Sequence, residues 1–312
     1  MSYHHIPVML EEVLGYLNCR PGKTYVDCTL GGCGHSRAIL PRIMPGGRLI
    51  GLDQDLDAIV NAREVLRPFE DSVRLFHADF TRLPELLAQS DVFAVDGILL
   101  DLGLSLHQLE SSGRGFSFLK DEPLDMRMDI RSSTSAGDLV NRMSEKELAR
   151  IFRQYGEERM SRKIARKIIT ERKQTPITTS RQLAELICSV MPAGFSAKHR
   201  IHPATRTFMA LRIAVNQELE RLKAFMQTAA DLLTPGGRLC VLSFHSLEDR
   251  IVKHSLRDME TACICPPDFP KCVCSKQKTM RVLTRRTVRP TDAEIRKNRM
   301  ARSTKLRAAE KI

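Results

Sequence analysis

No stretch of this 312-residue chain is apolar for long enough to serve as a helical membrane span, so no membrane partner is expected. The segment MSYHHIPVMLEEVL lacks a basic stretch followed by an apolar one, and no secretory signal is expected. A reducing, cytoplasmic setting is the corresponding expectation, with the nine cysteines mainly thiols. Nor does the chain need disulfides or a metal merely to hold together. Its length gives room for a sizeable core in one large or two moderate domains.

Two glycine-loop signatures are also missing. VDCTLGGCGHS, residues 26–36, places Gly31, Gly32 and Gly34 just after a short apolar run. No Gly-Lys-Ser/Thr follows Gly34, so the lysine that a P-loop sends to the β- and γ-phosphates is absent. Gly32 and Gly34 suit the first two positions of a dinucleotide fingerprint, but Arg37 takes the third, where close helix-to-strand packing needs glycine. A nicotinamide site is therefore disfavoured, and a nucleoside ligand without a pyrophosphate survives.

What is present begins with four β-like runs: TYVDC (24–28), RLIGLD (48–53), SVRLFHAD (72–79) and GILLDLG (97–103). Helix-length segments at 35–44 and 55–67 separate the first three, which predicts a doubly wound parallel sheet. The turn PGGRL occurs at 45–49 and again at 235–239, and is read both times as a helix-to-strand junction at which glycine ends the helix. A fifth strand is expected at 238–244. About 130 residues with almost no strand signal lie between the fourth and fifth strands, far beyond an ordinary connection, and predict an inserted helical domain. Capping boxes at Ser144/Glu147 and Thr179/Gln182 open two of its helices. A longer helix after Pro203 is expected to carry Leu211, Val215, Leu219, Leu222 and Phe225 back to the sheet.

Charge divides along the same lines. Residues 1–110 are net −6, whereas 111–230 and 231–312 are each net +9. A basic later chain suits a polyanion, because lysine and arginine release counterions when they meet phosphates. Arg159, Arg162, Lys163, Arg166 and Lys173 fall along one side of a helix, as either a phosphate-tracking or a solvated face would have them.

Asp27, the glycine turn and Asp53 together form the arrangement that Rossmann-like methyltransferases use for S-adenosylmethionine. Bare backbone admits the amino-acid portion and sugar, and the Asp53 carboxylate can accept hydrogen bonds from the ribose hydroxyls. Asp79-Phe80 would meet the adenine.

Longer stretches then carry a resemblance. HIPVMLEEVL, DGILLDLGLS, RGFSF, PLDMRMD, YGEER, HPATRTFMALRIAVNQEL, GGRLCVLSFHSLEDRIVK and ARSTKLRAAEKI resemble the RsmH (MraW) family of 16S ribosomal RNA cytosine-N4 methyltransferases. The resemblance implies an α/β fold, a Rossmann-like class I methyltransferase sheet formed by 1–108 and 215–312, with an inserted all-helical rRNA-recognition domain at 109–214. It implies S-adenosyl-L-methionine as cofactor and a cytidine N4 in the decoding region of 16S rRNA as acceptor, in the small ribosomal subunit. The protein would act as a monomer or homodimer. Carried over by motif, the cofactor contacts are Cys33, Gly34, His35, Asp53, Phe80, Asp101 and Gln108. Cys33 stands where the family usually has a third glycine, and LGLSLHQ where LGVSSPQ is common. The resemblance also makes part of ARSTKLRAAEKI a strand, against its helix-forming composition.

The N4 lone pair is delocalised into the cytosine ring, so positioning and hydrogen bonding must favour its pyramidalisation. Ser105 and His245 are the candidate catalytic residues, His245 with a structural role as its alternative. Arg127, His202 and Arg206, in family-specific stretches, are candidate substrate contacts, with bracing of the insert through Asp125 or Asp129 as the alternative. No metal is assigned. Cys263, Cys265, Cys272 and Cys274 form two Cys-x-Cys pairs, whereas zinc ligands usually follow Cys-x2-Cys, so reduced thiols in a proline-shaped loop are expected beside the zinc alternative. The competing functions are a nicotinamide-dependent oxidoreductase and a non-catalytic ribosome-assembly factor retaining a cofactor pocket.

Overall fold

The structure is a computed structural model that describes residues 7–192, 201–266 and 271–312. The start of the HIPVMLEEVL stretch and Pro267 of the cysteine loop lie outside the described residues. Two compact units are present, Met1–Gly103 with Leu219–Ile312, and Leu104–Glu218. The sequence reading set the insert at 109–214. The compact unit is longer at both ends, and on the N-terminal side Leu104 packs into its core.

The first unit opens with α1 (Leu10–Leu17), β1 (Thr24–Asp27), α2 (Gly34–Ile43), β2 (Arg48–Asp53), α3 (Leu56–Val65), β3 (Val73–His77), α4 (Leu83–Ala88) and β4 (Val95–Asp101). The second unit contributes α5 (Leu106–Glu110), α6 (Ala136–Arg142), α7 (Glu145–Gly156), α8 (Ser161–Arg172), α9 (Ser180–Ser189) and α10 (Thr205–Asn216). The chain then forms α11 (Glu218–Thr228), β5 (Leu233–Ser243), α12 (Ser246–Glu260), β6 (Met280–Val282), α13 (Asp292–Lys297) and β7 (Lys305–Lys311).

The seven strands are ordered β3-β2-β1-β4-β5-β7-β6, with β7 antiparallel to both of its neighbours. This is the expected doubly wound, mainly parallel sheet with helices on both faces. Alternation along each buried strand splits its side chains between two cores. Val26, Ile98, Leu100 and Val241 meet α4, α11 and α12 on one face. Leu49, Leu99, Cys240 and Leu242 meet α1, α2 and α3 on the other. Asp249 on α12 accepts hydrogen bonds from Arg307 at 2.7 Å and Lys305 at 2.8 Å. Burial alone would raise its carboxyl, yet these bonds hold it below the ordinary carboxylate range and fasten the helix to β7.

Three details differ from expectation. At 45–49 the helix ends before its glycine: Met44, preceding Pro45, is extended with ψ 150°, and Gly46 turns afterwards with φ +78°. The second PGGRL turn lies inside β5, where the register shifts against β4 between Val95 and Gly97. The long helix expected after Pro203 is two helices, broken at Gln217, which is left-handed with φ 51°.

Within the second unit, Asn216 ends α10 with a buried side chain. Its Oδ1 accepts from Met128 N at 2.8 Å, and its Nδ2 donates to Met126 O at 2.8 Å. One amide thus holds the backbone of PLDMRMD, where Met126 is left-handed. Arg114 of RGFSF donates to the carbonyls of Arg127 and Met128 at 3.0 and 3.1 Å. Asn216→Ala leaves a buried donor and acceptor unmet, and is expected to cost about 1–3 kcal/mol in urea unfolding. An unchanged unfolding midpoint would exclude this bracing role.

Candidate functional site

In an open α/β sheet, ligands sit beyond the carboxyl ends of the strands, where the strand order reverses. Here that place lies between β1 and β4, and buried or half-buried acids close three neighbouring strands: Asp27 on β1, Asp53 on β2 and Asp101 on β4.

Asp27 sets the loop. Its Oδ1 accepts from Thr29 N at 3.1 Å, and its Oδ2 accepts from the Ser36 hydroxyl at 2.6 Å. The Thr29 hydroxyl in turn accepts from Asp101 N at 2.6 Å. One carboxylate therefore joins the end of β1 to the first turn of α2 and, through Thr29, to the end of β4. Sequence reasoning missed Thr29 and Ser36. Their only signal was their closeness to the glycines, since a small hydroxyl residue reads equally well as a turn former.

The loop that results is tight. Cys33 is fully buried, left-handed at φ 62°, and donates its N–H to Leu30 O at 2.6 Å. A side chain held in this left-handed region carries strain of about 1–2 kcal/mol, which a glycine would not. Gly34 begins α2 with Pro7 so close that an added Cβ would stand 2.9 Å from the proline ring. His35 Nε2 donates to Val8 O at 3.0 Å, which turns Nδ1 toward Asp101 Oδ2 at 3.6 Å. Pro7 and Val8 thus cover the glycine loop directly.

Asp53 accepts from Gly31 N at 3.0 Å and from Asp55 N at 2.9 Å. Burial pushes its carboxyl up to about 7 despite these bonds, and pushes Asp27 up to about 6 despite Ser36 and Thr29. Asp101 is raised well above the ordinary value by burial and by the neighbouring charges of Asp27 and Glu248. Its Oδ1 is buried and has no hydrogen-bond partner among the described residues. Three acids crowded at one end of the sheet, one with an orphaned oxygen, suit a ligand that brings hydroxyl or cationic N–H donors. Phe80 lies beyond β3 and packs edge-on against Phe225, with ring centroids 5.5 Å apart. Beside it Asp79 lies 3.8 Å from Arg221, which donates to the Gln54 side chain at 2.6 Å.

His245 belongs to the same unit and caps α12. Its Nδ1 accepts from Glu248 N at 3.4 Å, and its Nε2 stands 3.1 Å from Glu248 Oε1. Ser105 and Gln108 belong to the second unit, where they form the capping box of α5. Ser105 Oγ accepts from Gln108 N at 3.2 Å, and Gln108 Oε1 accepts from Ser105 N at 3.0 Å. The Arg127 guanidinium is taken up internally, by Asp125 at 2.7 Å through both Nε and Nη2 and by Ser132 O at 2.7 Å. Asp125 is lowered by those bonds despite its burial. His202 is exposed, stacks on Phe118 at 4.4 Å, and accepts from Ala204 N at 3.2 Å. Arg206 reaches Glu157 O at 3.4 Å.

Of the basic residues placed on one helix side, Arg159, Arg162 and Lys163 line a groove of about 940 Å³ with Lys146, Arg150 and Arg153 of α7. Glu145 is the single acid in its lining. Arg166 is turned toward that Glu145, at 3.6 Å. Near the other end of the chain, the four clustered cysteines are free thiols whose sulfurs converge within 4.8 Å of one another, although their spacing argued against it.

Comparison with known proteins agrees over the whole chain. The model of the MraW methylase family matches residues 2–312. Ribosomal RNA small subunit methyltransferase H of Desulforapulum autotrophicum is 53% identical over 312 residues, covering 100% of both chains. The proteins of the same name from Desulfosudis oleivorans and Trichlorobacter lovleyi are 52% and 51% identical, covering 100% of this chain and 100% and 99% of theirs. With a family match from end to end and relatives above half identity, the chain belongs to the MraW methylase family.

Proposed function

We propose that this protein is a small-subunit rRNA methyltransferase that transfers the methyl group of S-adenosyl-L-methionine to the exocyclic N4 of a cytidine in the decoding region of 16S rRNA. The observation that carries the reading is the set of acids ending β1, β2 and β4, with the orphaned Asp101 oxygen, in a chain whose full-length relatives are named for rRNA methylation. When bound, the cofactor supplies an electrophilic methyl on sulfur. Asp53 accepts hydrogen bonds from its ribose hydroxyls, and Asp101 with the His35 segment receives its amino-acid end. The loop at Cys33 and Gly34, with Phe80 and Gln108, completes its contacts. Ser105 retains acceptor capacity beyond its capping bond, and in this reading it holds the cytosine amino group so that the nitrogen lone pair faces the methyl. His245 serves as the second candidate for that task.

The insert supplies affinity for the acceptor. Six cations around one acid in the groove between α7 and α8 suit a phosphate backbone, with His202 and Arg206 as further contacts. Arg127 in this reading shapes the loop that meets the RNA.

Four outcomes are expected. Labelled S-adenosylmethionine incubated with small subunits lacking the modification should yield N4-methylcytidine by nucleoside mass spectrometry. Label in another nucleoside would overturn the specificity, and no label at all would favour a non-catalytic assembly factor. Affinity for the cofactor should fall as pH drops through about 7 and then about 6, because Asp53 and Asp27 accept protons there and a cationic ligand prefers them ionised. Calorimetry should show proton release on binding in that window. Without ligand, the two raised acids stabilise the fold fully below their unfolded value of 3.8, and that contribution is lost as pH rises through about 6 and 7. Replacing Arg150 and Arg153 by alanine should weaken binding to small subunits and reduce the slope of log affinity against log salt by about 2. An unchanged slope would remove the groove from the interface.

A further inference from the structure

Between α12 and β6, residues 261–279 hold no helix or strand among the described residues, and the segment is tied at its base by Thr279 N donating to Met259 O at 2.9 Å. An irregular connection of this length needs something to organise it. Among the described residues no buried apolar side chain does so. Ile264 and Val273 are 65% and 71% exposed. What converges are sulfurs: Cys263 to Cys272 at 3.5 Å, Cys272 to Cys274 at 3.6 Å, Cys263 to Cys274 at 3.8 Å and Cys265 to Cys272 at 4.0 Å, with the remaining pairs inside 4.8 Å.

These separations have a direct chemical reading. Four sulfurs each about 2.3 Å from one zinc ion stand about 3.8 Å apart, at the corners of a tetrahedron. Two disulfides would instead give two separations of about 2.05 Å and leave the others long. The backbone completes the pattern expected around thiolates. Ile264 N donates to Cys274 Sγ at 3.4 Å, Val273 N to Cys265 Sγ at 3.3 Å, and Cys265 N to Cys263 Sγ at 3.4 Å. Each of the first two bonds runs from the middle of one Cys-x-Cys pair to a sulfur of the other. Hydrogen bonds of this kind support metal-bound sulfur and hold the ligands in place.

The spacing that argued against a metal is explained by the same geometry. Within each pair the sulfurs meet those of the other pair, while the residue between them stays exposed. Cys263 and Cys265 face inward around an outward Ile264, and Cys272 and Cys274 do the same around Val273. Two facing Cys-x-Cys pairs therefore offer four ligands without the turn that Cys-x2-Cys requires.

We propose that Cys263, Cys265, Cys272 and Cys274 bind one zinc ion in a closed four-thiolate site that fastens the segment between α12 and β6. Four soft ligands in a tetrahedron with no open position make it a structural ion and not a catalytic one. The site is separate from the acids of the cofactor region and does not rest on the proposed methyl transfer.

The test uses the full-length protein, purified without chelators from zinc-supplemented cells. Elemental analysis should find about one zinc per chain, retained through dialysis against a weak chelator. Cys272→Ser should lower that content by about tenfold or more, whereas Cys188→Ser, at an exposed cysteine elsewhere, should leave it unchanged. Should Cys272→Ser fail to fold, cobalt titration of the metal-stripped native chain provides the second measurement. Intense thiolate-to-metal charge transfer and the visible bands of tetrahedral cobalt, saturating at one equivalent, are expected. Metal-free protein with all four clustered cysteines titrating as thiols, two disulfides by intact mass, or iron in place of zinc would each overturn the proposal.

Discussion

The buried carboxylate of Asp27 is the constraint on which the rest of the first unit depends. It lies at the end of the first strand, where strand order reverses, and accepts from Thr29 and Ser36 at once. Thr29 carries the link to Asp101, and Ser36 carries it to the helix that the glycines allow to begin so early. Remove that carboxylate and the left-handed Cys33, the Pro7-covered Gly34 and the aim of His35 lose their common support. A buried acid that burial pushes toward neutrality is a costly anchor. Its bonds to Thr29 and Ser36 nevertheless define one loop conformation, and a loop that must admit a ligand cannot be packed rigid with apolar side chains.

The family-specific stretches divide their labour unevenly. PLDMRMD, RGFSF and the Asn216 region invite a reading as RNA contacts because they are polar and distinctive. In the structure their polar atoms mostly face one another: Asn216 holds Met126 and Met128, Arg114 holds Arg127 and Met128, and Arg127 holds Asp125. What these arginines and amides define is a backbone path. The cations that line the groove belong to α7, α8 and the turn between them, outside PLDMRMD and RGFSF. Distinctive motif and ligand contact are therefore different properties, and here the first describes how a loop without regular structure is held.

The sheet was legible where physics acts locally. RLIGLD ran from residue 48 to 53 as read, and the capping boxes at Ser144 and Thr179 formed as read, because a run of apolar residues or a hydroxyl three positions before Glu or Gln has few alternatives. The break at Gln217 was not legible, since the apolar spacing of Leu211, Val215, Leu219 and Leu222 continues across it and the cause, Asn216 reaching a loop 88 residues earlier, is not local. In the site, the acids at the strand ends were legible from their position after apolar runs. That Asp101 would carry an orphaned oxygen was not, because it depends on what surrounds it on every side. His245 and Ser105 read equally well as reactive groups and as helix caps, and only the geometry shows the capping bonds. The convergence of the four cysteine sulfurs was not legible, because Cys-x-Cys spacing does not show that the two pairs face each other across the connection.

The position of β7 reaches beyond the finished molecule. This strand lies inside the sheet, between β5 and β6, although it is the last of the seven to be synthesised. Until residues 305–311 have left the ribosome, β5 offers a long apolar edge with unpaired backbone, and the buried positions Leu239, Val241 and Leu242 lack their covering neighbour. Co-translational folding can complete the helical insert and the first four strands but not the sheet. The nascent chain thus passes through a stage in which its stickiest surface is exposed, and in the finished sheet the three-residue β6 leaves that edge only a short strand.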